Sequence, residues 1–549
     1  MTVSTRVGRG LAAAAAAALL LTACSSNSNS GSSSSSSSAS SGGGQGIVTA
    51  WSSEPQNPLV PANTNESGGT KIIQSVMSGL VYYDAKGAPH NDLAESIDTK
   101  DQINYNIAIK SGQKWSDGST VTAKNFVDAW NWGALSTNAA LLSSFYAPIE
   151  GYDAVSATPP TAQTMSGLAV VDDTHFTVKL ARPQADFALQ LGYIAFYPMP
   201  DAAFTDIKAF GEAPPSDGPY MLKSPTAWQH NVKIDLVPNK DYKGPRQPKN
   251  GGLTLSFYAT SEAAYNDLLS GSLDILEEVP TSALPTYKSD LGDRSFNQPS
   301  AVFQSFTIPQ NLAHFSGKEG ALRRQAISYA IDRPTITKTI FQNTRTPAKD
   351  FTSPTIAGYS KDIPGNEVLS FDEKKAKDLW KQADAISPWS GTFSLAYNAD
   401  SSHQPWVDAV CNSIKNTLGI DASGKPYPTF AALRKDVTAR TITGAFRSGW
   451  QADYPGLYDF IQPLYYTGAS SNDGDYSNPT LDKKIDEAAS ANSIDESNKL
   501  LNDAQTILFK DLPAIPLWYS NVSGGYSEKV SNVEIGWDSN PLYYAITKK

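Results

Sequence analysis

Apolar and polar residues follow two different patterns along the chain. β-branched or alternating apolar residues, which are typical of strands, are found at 47–51, 104–109 and 174–178. Apolar residues recur at helical spacing at 71–80, 123–132, 322–331, 371–383 and 406–418. Because strands and helices mix without any repeat, the pattern predicts an α/β or α+β fold with mixed sheets.

The N-terminal segment differs from the rest of the chain. Residues 1–23 carry Arg6 and Arg9, then an apolar run and no acidic residue, which is the layout of a secretory signal peptide. The segment ends in Leu21-Thr22-Ala23-Cys24, which resembles the lipobox of bacterial lipoproteins. That resemblance implies that Cys24 receives a diacylglycerol and becomes the first mature residue. An ordinary cleavable signal with a chance cysteine is the alternative.

A flexible tether is predicted next. Residues 24–45 are nearly all Ser, Gly and Asn, and such a segment cannot bury enough apolar surface to fold. A lipid at Cys24 and this tether predict a protein held at the outer face of the cytoplasmic membrane. The other cysteine, Cys411, is expected to be a small buried residue on a helix.

Composition and charge exclude several classes of protein. The 549 residues are 40% hydrophobic and 18% charged, which excludes a wholly disordered chain and a polytopic membrane protein. Lys and Arg total 44 against 54 Asp and Glu, a formal charge of −10. Without a long basic run, this balance argues against nucleic acid as a partner.

Local motifs for catalysis are missing from the sequence. It contains no His-Glu-x-x-His, Gly-x-Ser-x-Gly or Gly-x-x-x-x-Gly-Lys-[Ser/Thr], and its five histidines lie tens of residues apart. Glu277-Glu278 is interpreted as a solvated pair rather than an acid and base. We therefore predict a protein that is not an enzyme, with no catalytic residue, metal or cofactor. Because convergent active sites need no local motif, a surface-anchored hydrolase stays as an alternative.

One segment resembles a known family. Residues 114–118 (KWSDG) and 121–130 (VTAKNFVDAW) are explained locally as a turn followed by a helix capped by Thr122. The same string resembles the segment that marks extracytoplasmic solute-binding proteins of the peptide/nickel class, the receptors of ATP-driven (ABC) importers. Seven further segments resemble that family in the same order: 80–83, 217–220, 237–242, 322–333, 446–455, 476–479 and 512–517.

The resemblance implies a two-lobed fold like that of periplasmic binding proteins, with a ligand cleft closed by a hinge. Carried onto this chain, lobe I comprises 46–85, 203–300 and 520–549, with an extra subdomain at 86–202, and lobe II comprises 301–519. The resemblance also implies a monomer that captures short peptides and delivers them to membrane permease subunits. Hinge closure would bring contacts to the ligand that exist only in the closed state.

The motif at 449–454 supplies most of the candidate ligand-binding residues. In peptide binders of the family its aspartate, Asp453 here, pairs with the ligand's α-ammonium, and a charge-assisted hydrogen bond suits that role. Trp450 offers a flat apolar wall. Gly449 would allow the ligand to approach the backbone. Tyr454 belongs equally to the core or the site.

Three more candidates come from other positions. Arg447 lies on the same predicted strand, where its guanidinium could hold a ligand carboxylate bidentately. The alternative for Arg447 is a structural ion pair. Asn65 and Tyr146 are placed by the resemblance on loops that offer backbone partners to a peptide.

The loop after Tyr454 departs from the family pattern. Many members carry an acidic residue and a second proline there, whereas this chain has Gly456-Leu457-Tyr458. The departure leaves the ligand class open between a peptide and an oligosaccharide or metal chelate. A receptor that senses peptides without importing them is a further alternative.

Overall fold

The computed structural model describes residues 46–399 and 401–549. The predicted signal segment 1–23, the tether 24–45 and Cys24 lie outside these residues. Within the described part the helices are α1 Ser67–Val76, α2 Ala123–Ala134, α3 Tyr152–Ser156, α4 Phe187–Gln190, α5 Ile207–Glu212, α6 Ser261–Ser270, α7 Tyr287–Leu291, α8 Gly317–Tyr329, α9 Arg333–Thr339, α10 Glu373–Asp384, α11 Gln404–Leu418, α12 Phe430–Thr438, α13 Leu457–Tyr465, α14 Pro479–Ala489 and α15 Ile494–Asp511.

The strands of the described residues belong mostly to one large sheet. They are β1 Val48–Ser52, β2 Val81–Tyr83, β3 Pro89–Asn91, β4 Ala94–Thr99, β5 Asn104–Ile109, β6 Leu168–Asp172, β7 His175–Lys179, β8 Tyr220–Leu222, β9 Trp228–Gln229, β10 Lys233–Pro238, β11 Leu253–Phe257, β12 Ile275–Leu276, β13 Ser295–Thr307, β14 Arg345–Pro347, β15 Phe393–Asn398, β16 Ala422–Tyr427, β17 Ala445–Gln451, β18 Ala514–Tyr526, β19 Val530–Ser531 and β20 Thr547–Lys548. The predicted mixed α/β class is confirmed.

Two long antiparallel strands link the halves of the large sheet. Its order is β16-β15-β17-β13-β18-β12-β1-β11-β10-β8, with β14 beside β18 and β9 beside β10. β13 and β18 have 13 residues each and pair from Ser295–Gly525 to Thr307–Ala514. A register shift interrupts this pairing between Pro299 and Phe303. One large apolar core draws its residues mostly from 48–275, and two others lie almost entirely within 301–519.

A smaller antiparallel sheet, in the order β4-β5-β7-β6, packs against α2. Phe126 and Trp130 of α2 bury their rings on Phe176 of β7. Thr122 is the N-cap of α2 as predicted, and the structure adds a capping box in which the Asn125 side chain accepts the Thr122 backbone N–H at 2.9 Å. The residue boundaries of the lobes and of the subdomain stay a prediction.

Element bounds differ most from the prediction at α1. The helix was expected at 71–80 but begins at Ser67, because the Glu66 carboxylate accepts the Gly69 N–H and caps it. It ends at Val76 because Met77 is extended and the Ser78 N–H is donated to Asp217.

A buried ion pair fastens this part of the chain. Arg246 donates to the Asp92 carboxylate at 2.8 and 3.0 Å, and Asp92 is fully buried. The same guanidinium donates to the Gln74 and Met77 carbonyls at the end of α1. The pair therefore joins α1, the start of β4 and the loop before β11.

Glu277 corrects the interpretation of Glu277-Glu278 as a solvated pair. Glu277 is buried, its carboxylate lies 3.0 Å from the Lys71 ammonium, and it accepts the Tyr543 hydroxyl. Cys411 lies buried on α11 as predicted. None of the helices in the described ranges is long and apolar enough to cross a membrane.

Candidate functional site

Strand β17 carries an open edge. On one side β17 pairs with β13 from Phe446–Thr307 to Gln451–Val302. On the other side β15 pairs only with Ala445 and Phe446. Within the described residues, the outer edge of β17 from 448 to 451 therefore has no strand beside it, and its backbone groups on that side can pair with an extended ligand.

Asp453 lies just beyond the end of this edge. Its carboxylate accepts a hydrogen bond from the Tyr193 hydroxyl. It forms no salt bridge with any residue of the described chain. Asp453 is partly buried, and this burial raises the pKa of its carboxyl group above the usual range, against the lowering effect of the Tyr193 hydrogen bond. Asp453 therefore offers a partly buried carboxylate that has no cationic partner among the described residues.

Trp450 joins three neighbouring cavities into one cleft. It lines a cavity of about 300 Å³, one of about 390 Å³ and one of about 520 Å³. Asp453 lines the two smaller ones. The Trp450 indole N–H is donated to Asp459, and this hydrogen bond fixes the ring at the place where the three cavities adjoin.

Charge is distributed unevenly along this cleft. The charged residues on the two smaller cavities are Glu66, Asp453, Asp459, Asp538 and Arg182, so acids outnumber the one arginine among the described lining residues. The charged residues on the largest cavity are Arg434, Arg447 and Asp473, and Arg434 is paired with Asp473. The acids of the described lining are therefore concentrated on the two smaller cavities, which favours a cationic group at that end of the cleft.

Arg447 lies on the largest cavity and not beside Asp453. Its Nε donates to Asn398 at 2.7 Å, and its guanidinium lies 5.0 Å from the centre of the Phe430 ring. The floor of this cavity carries the hydroxyls of Ser305, Thr307 and Ser448, which are joined by hydrogen bonds of 2.9 Å. These groups add polar contacts to a wall that mixes aromatic, aliphatic and charged side chains.

Gly449 is required by the neighbouring strand. A Cβ at this position would lie 2.5 Å from the Phe303 carbonyl oxygen of β13, closer than packed atoms allow. The sequence-based role for this glycine was close approach to a ligand, and the structure adds a reason within the sheet.

We expect Gly449→Ala to lower the free energy of unfolding by about 1–3 kcal/mol, because β13 or β17 must shift to admit the methyl group. Urea unfolding followed by tryptophan fluorescence measures this change. Gln451→Ala, an exposed position on the same strand, is the matched control and should stay within about 0.5 kcal/mol of the parent protein. Equal stability of the two variants would contradict the close contact.

Tyr454 is held inside the protein. Its side chain is 3% exposed, and its hydroxyl is donated to Asp186 and accepts from Gln190. Asp186 and Gln190 lie at the start and end of α4. The residue therefore joins the chain after β17 to the chain around α4, and it also borders the 390 Å³ cavity.

The two candidates from loops, Asn65 and Tyr146, lie in different environments. Asn65 is exposed and lines the 300 Å³ cavity opposite β17. Tyr146 is fully buried, donates its hydroxyl to the Ala195 carbonyl and packs on Phe196, so it does not reach these cavities. Phe145, one residue earlier, lines the 390 Å³ cavity instead. We therefore leave Tyr146 out of the proposed site.

Two residues at this site were missed in the sequence analysis. Tyr193 comes from a segment 260 positions before Asp453, and nothing local marks it. Asp459 lies in the first turn of α13, directly after the Gly456-Leu457-Tyr458 segment that departs from the family pattern. It is the first acidic residue after Asp453 and was visible in the sequence.

The fold and this cleft are those of a solute-binding protein. Residues 88–472 match the bacterial extracellular solute-binding proteins, family 5 middle region. Because this match spans more than half of the chain, the protein belongs to that family.

Individual relatives agree with this assignment. The chain is 25% identical over 475 residues to the oligopeptide-binding protein OppA of Bacillus subtilis, covering 83% of this chain and 84% of that protein. It is 26% identical over 495 residues to the periplasmic murein peptide-binding protein MppA of Escherichia coli, covering 87% and 88%. The solved unliganded open form of MppA matches with a TM-score of 0.78 at 22% identity, covering 92% and 98%. The predicted two-lobed fold is thereby confirmed.

Proposed function

We propose that this protein captures peptides in the cleft beside β17 and delivers them to an ATP-driven importer. The observation that carries the proposal is the open edge of β17 ending at a carboxylate without a cationic partner in the described chain. A peptide has the two features that such a site recognises, an extended backbone and a free α-ammonium. The curated relatives named above are described as binding peptides.

The peptide backbone would add to the sheet. Strand addition at 448–451 uses main-chain hydrogen bonds, which are the same for every sequence of the ligand. Asn65 faces this edge from across the 300 Å³ cavity and supplies a polar contact to the other side of the peptide. Affinity would then come from the backbone and the ends rather than from particular side chains.

The ammonium group of the peptide would pair with Asp453. A charge-assisted hydrogen bond of this kind contributes about 1.5–3 kcal/mol. The excess of acids on the two smaller cavities draws the amino end there, and Arg447 offers its guanidinium to the carboxyl end on the largest cavity, where Arg434 is already paired with Asp473. The peptide would thus run antiparallel to β17, with Trp450 as a wall between successive side chains.

A receptor that captures peptides for an importer must lie outside the cytoplasm. We place the protein at the outer face of the cytoplasmic membrane, with a lipid on Cys24 and the segment 24–45 as its tether. β13 and β18 link the two halves of the sheet and would carry the hinge motion that closes the cleft on a peptide. The closed, loaded form would be the one that the permease subunits recognise.

Mass spectrometry of small molecules released by denaturing the purified protein tests this function. The protein is purified without added ligand, and a mixture of short peptides is the expected result. A sugar, a metal complex or no released molecule at all would contradict the peptide assignment while leaving the family unchanged.

A further inference from the structure

Asp459 accepts hydrogen bonds from both residues that define the ammonium site. Its Oδ2 atom accepts the Asp453 backbone N–H at 2.9 Å and the Trp450 indole N–H at 3.1 Å. Asp459 is 5% exposed and lies in the first turn of α13, where the backbone N–H groups of a helix favour a negative charge. One carboxylate therefore fixes both the apolar wall and the backbone that carries the ligand's counter-ion.

Resting on the peptide capture proposed above, we propose that Asp459 is a positioning residue of the ammonium site. Its carboxylate holds the Trp450 ring and the Asp453 backbone in place. The two neighbouring carboxyl groups, Asp453 and Asp459, together hold one proton, and that proton leaves to solvent when the ligand's ammonium binds. On binding, the site would thus replace the positive charge of the proton by that of the ligand's ammonium.

The surroundings of the carboxylate pair supply few compensating charges. Tyr193 donates its hydroxyl to Asp453, and Tyr83 of β2 lies near Asp459. The buried Asp186, next to α4, is a third acid close to the pair. Arg182 is the cation on the adjoining cavity, and its side chain is exposed.

Two further tyrosines complete this environment. Tyr454 and Tyr458 flank the pair and are neutral at physiological pH, because burial raises the pKa of both hydroxyls. Two carboxylates in a buried environment without a buried cation cannot both ionise easily, so such a pair holds a proton. The proton and the ligand's ammonium would therefore compete for the same pair of carboxyl groups.

The pH dependence follows from this arrangement. Burial raises the pKa of Asp453 and Asp459, and repulsion between the two carboxylates raises the pKa of Asp459 further. A bound ammonium favours the ionised forms, so the pKa values fall on binding. A proton is released in the interval between the bound and the free pKa values, and affinity rises with pH through that interval. At higher pH affinity falls again when the peptide's amino group, with an ordinary pKa of about 8, loses its proton.

Two substitutions separate positioning from charge. Asp459→Asn keeps an oxygen that accepts both N–H groups but cannot share the proton in the same way. Asp459→Ala removes the acceptor and leaves both N–H groups without a partner. We expect Asp459→Ala to weaken peptide affinity about 10- to 100-fold, and Asp459→Asn to stay within about fivefold of the parent protein.

Calorimetry in buffers of different ionisation enthalpy counts the released protons. The probe is a synthetic copy of the most abundant peptide released from the purified protein, and the pH is near the free pKa of Asp453, about 6. The parent protein should release about 0.3–1 proton per peptide, and Asp459→Asn close to none. Asp350→Asn, a buried carboxyl away from the cleft that bonds Tyr519 and Thr352, should release as many as the parent.

The outcomes distinguish this inference from the proposed function. If the parent protein binds the peptide but releases no proton, or if Asp459→Asn releases as many as the parent, the shared proton is refuted and peptide capture stands. If the parent protein binds no peptide, the proposed function fails and this inference fails with it. Loss of proton release in Asp350→Asn as well would also overturn the assignment to Asp459.

Discussion

Replacing Asp453 by alanine is expected to weaken the binding of a free-amino peptide by about 30- to 1,000-fold, or about 2–4 kcal/mol. The loss is large because the ligand's ammonium would then be enclosed without a counter-ion. Asp453→Asn should lose nearly as much, since an amide keeps the shape and the hydrogen bond from Tyr193 but not the charge. Calorimetric titration of both variants with the same synthetic peptide measures the change.

A matched control for this prediction is Asp421→Ala. Asp421 is an acid between α11 and β16 whose side chain is 74% exposed. Its removal changes the net charge by the same amount, and the affinity should stay within about twofold of the parent protein. An Asp453→Ala variant that binds as tightly as Asp421→Ala would remove Asp453 from the site.

Replacing Asp92 by alanine is expected to lower the free energy of unfolding by about 3–5 kcal/mol, because it leaves the Arg246 guanidinium buried without its partner. Arg246 is only 7% exposed, and the carbonyls of Gln74 and Met77 and the Ser78 hydroxyl are its remaining acceptors. These neutral acceptors cannot balance the charge of the buried guanidinium as a carboxylate does. Urea unfolding curves of the two proteins give this difference.

Asp98→Ala is the control for this loss. Asp98 lies six residues further along the same segment, on β4, and is exposed. Its removal should change the stability by no more than about 0.5 kcal/mol. If Asp92→Ala and Asp98→Ala unfold at the same urea concentration, the buried pair does not stabilise this part of the fold.

Local patterns predicted the regular elements well. The strand at 104–109 follows from its alternating apolar residues. The helix beginning at Ala123 follows from apolar residues at helical spacing and from the capping residue just before them. α1 was placed too late because Gly68-Gly69 disfavours a helix, whereas the Glu66 cap and packing on the core determine its start. Propensity is a weak guide where a cap and tertiary contacts act together.

Contacts between segments that lie far apart in the chain could not be predicted from the sequence. Glu277 has no local mark of its pairing with Lys71, which lies 206 positions away. For the same reason Tyr193 was missed although Asp453 was named. Asp459 lies only six positions after Asp453, but nothing in the sequence indicated that it accepts hydrogen bonds from Trp450 and Asp453. Tyr146 was chosen from an approximate match, and a shift of one residue decides whether a side chain enters the core or the cavity.

The most direct measurement of the central claim compares a peptide with its N-acetylated copy. Acetylation removes the ammonium and leaves the backbone and side chains unchanged. If the α-ammonium is held by Asp453, the parent protein should bind the free-amino peptide at least about 30-fold more tightly than the acetylated one, and Asp453→Ala should bind the two about equally. Equal affinity of the parent protein for both peptides would contradict the account.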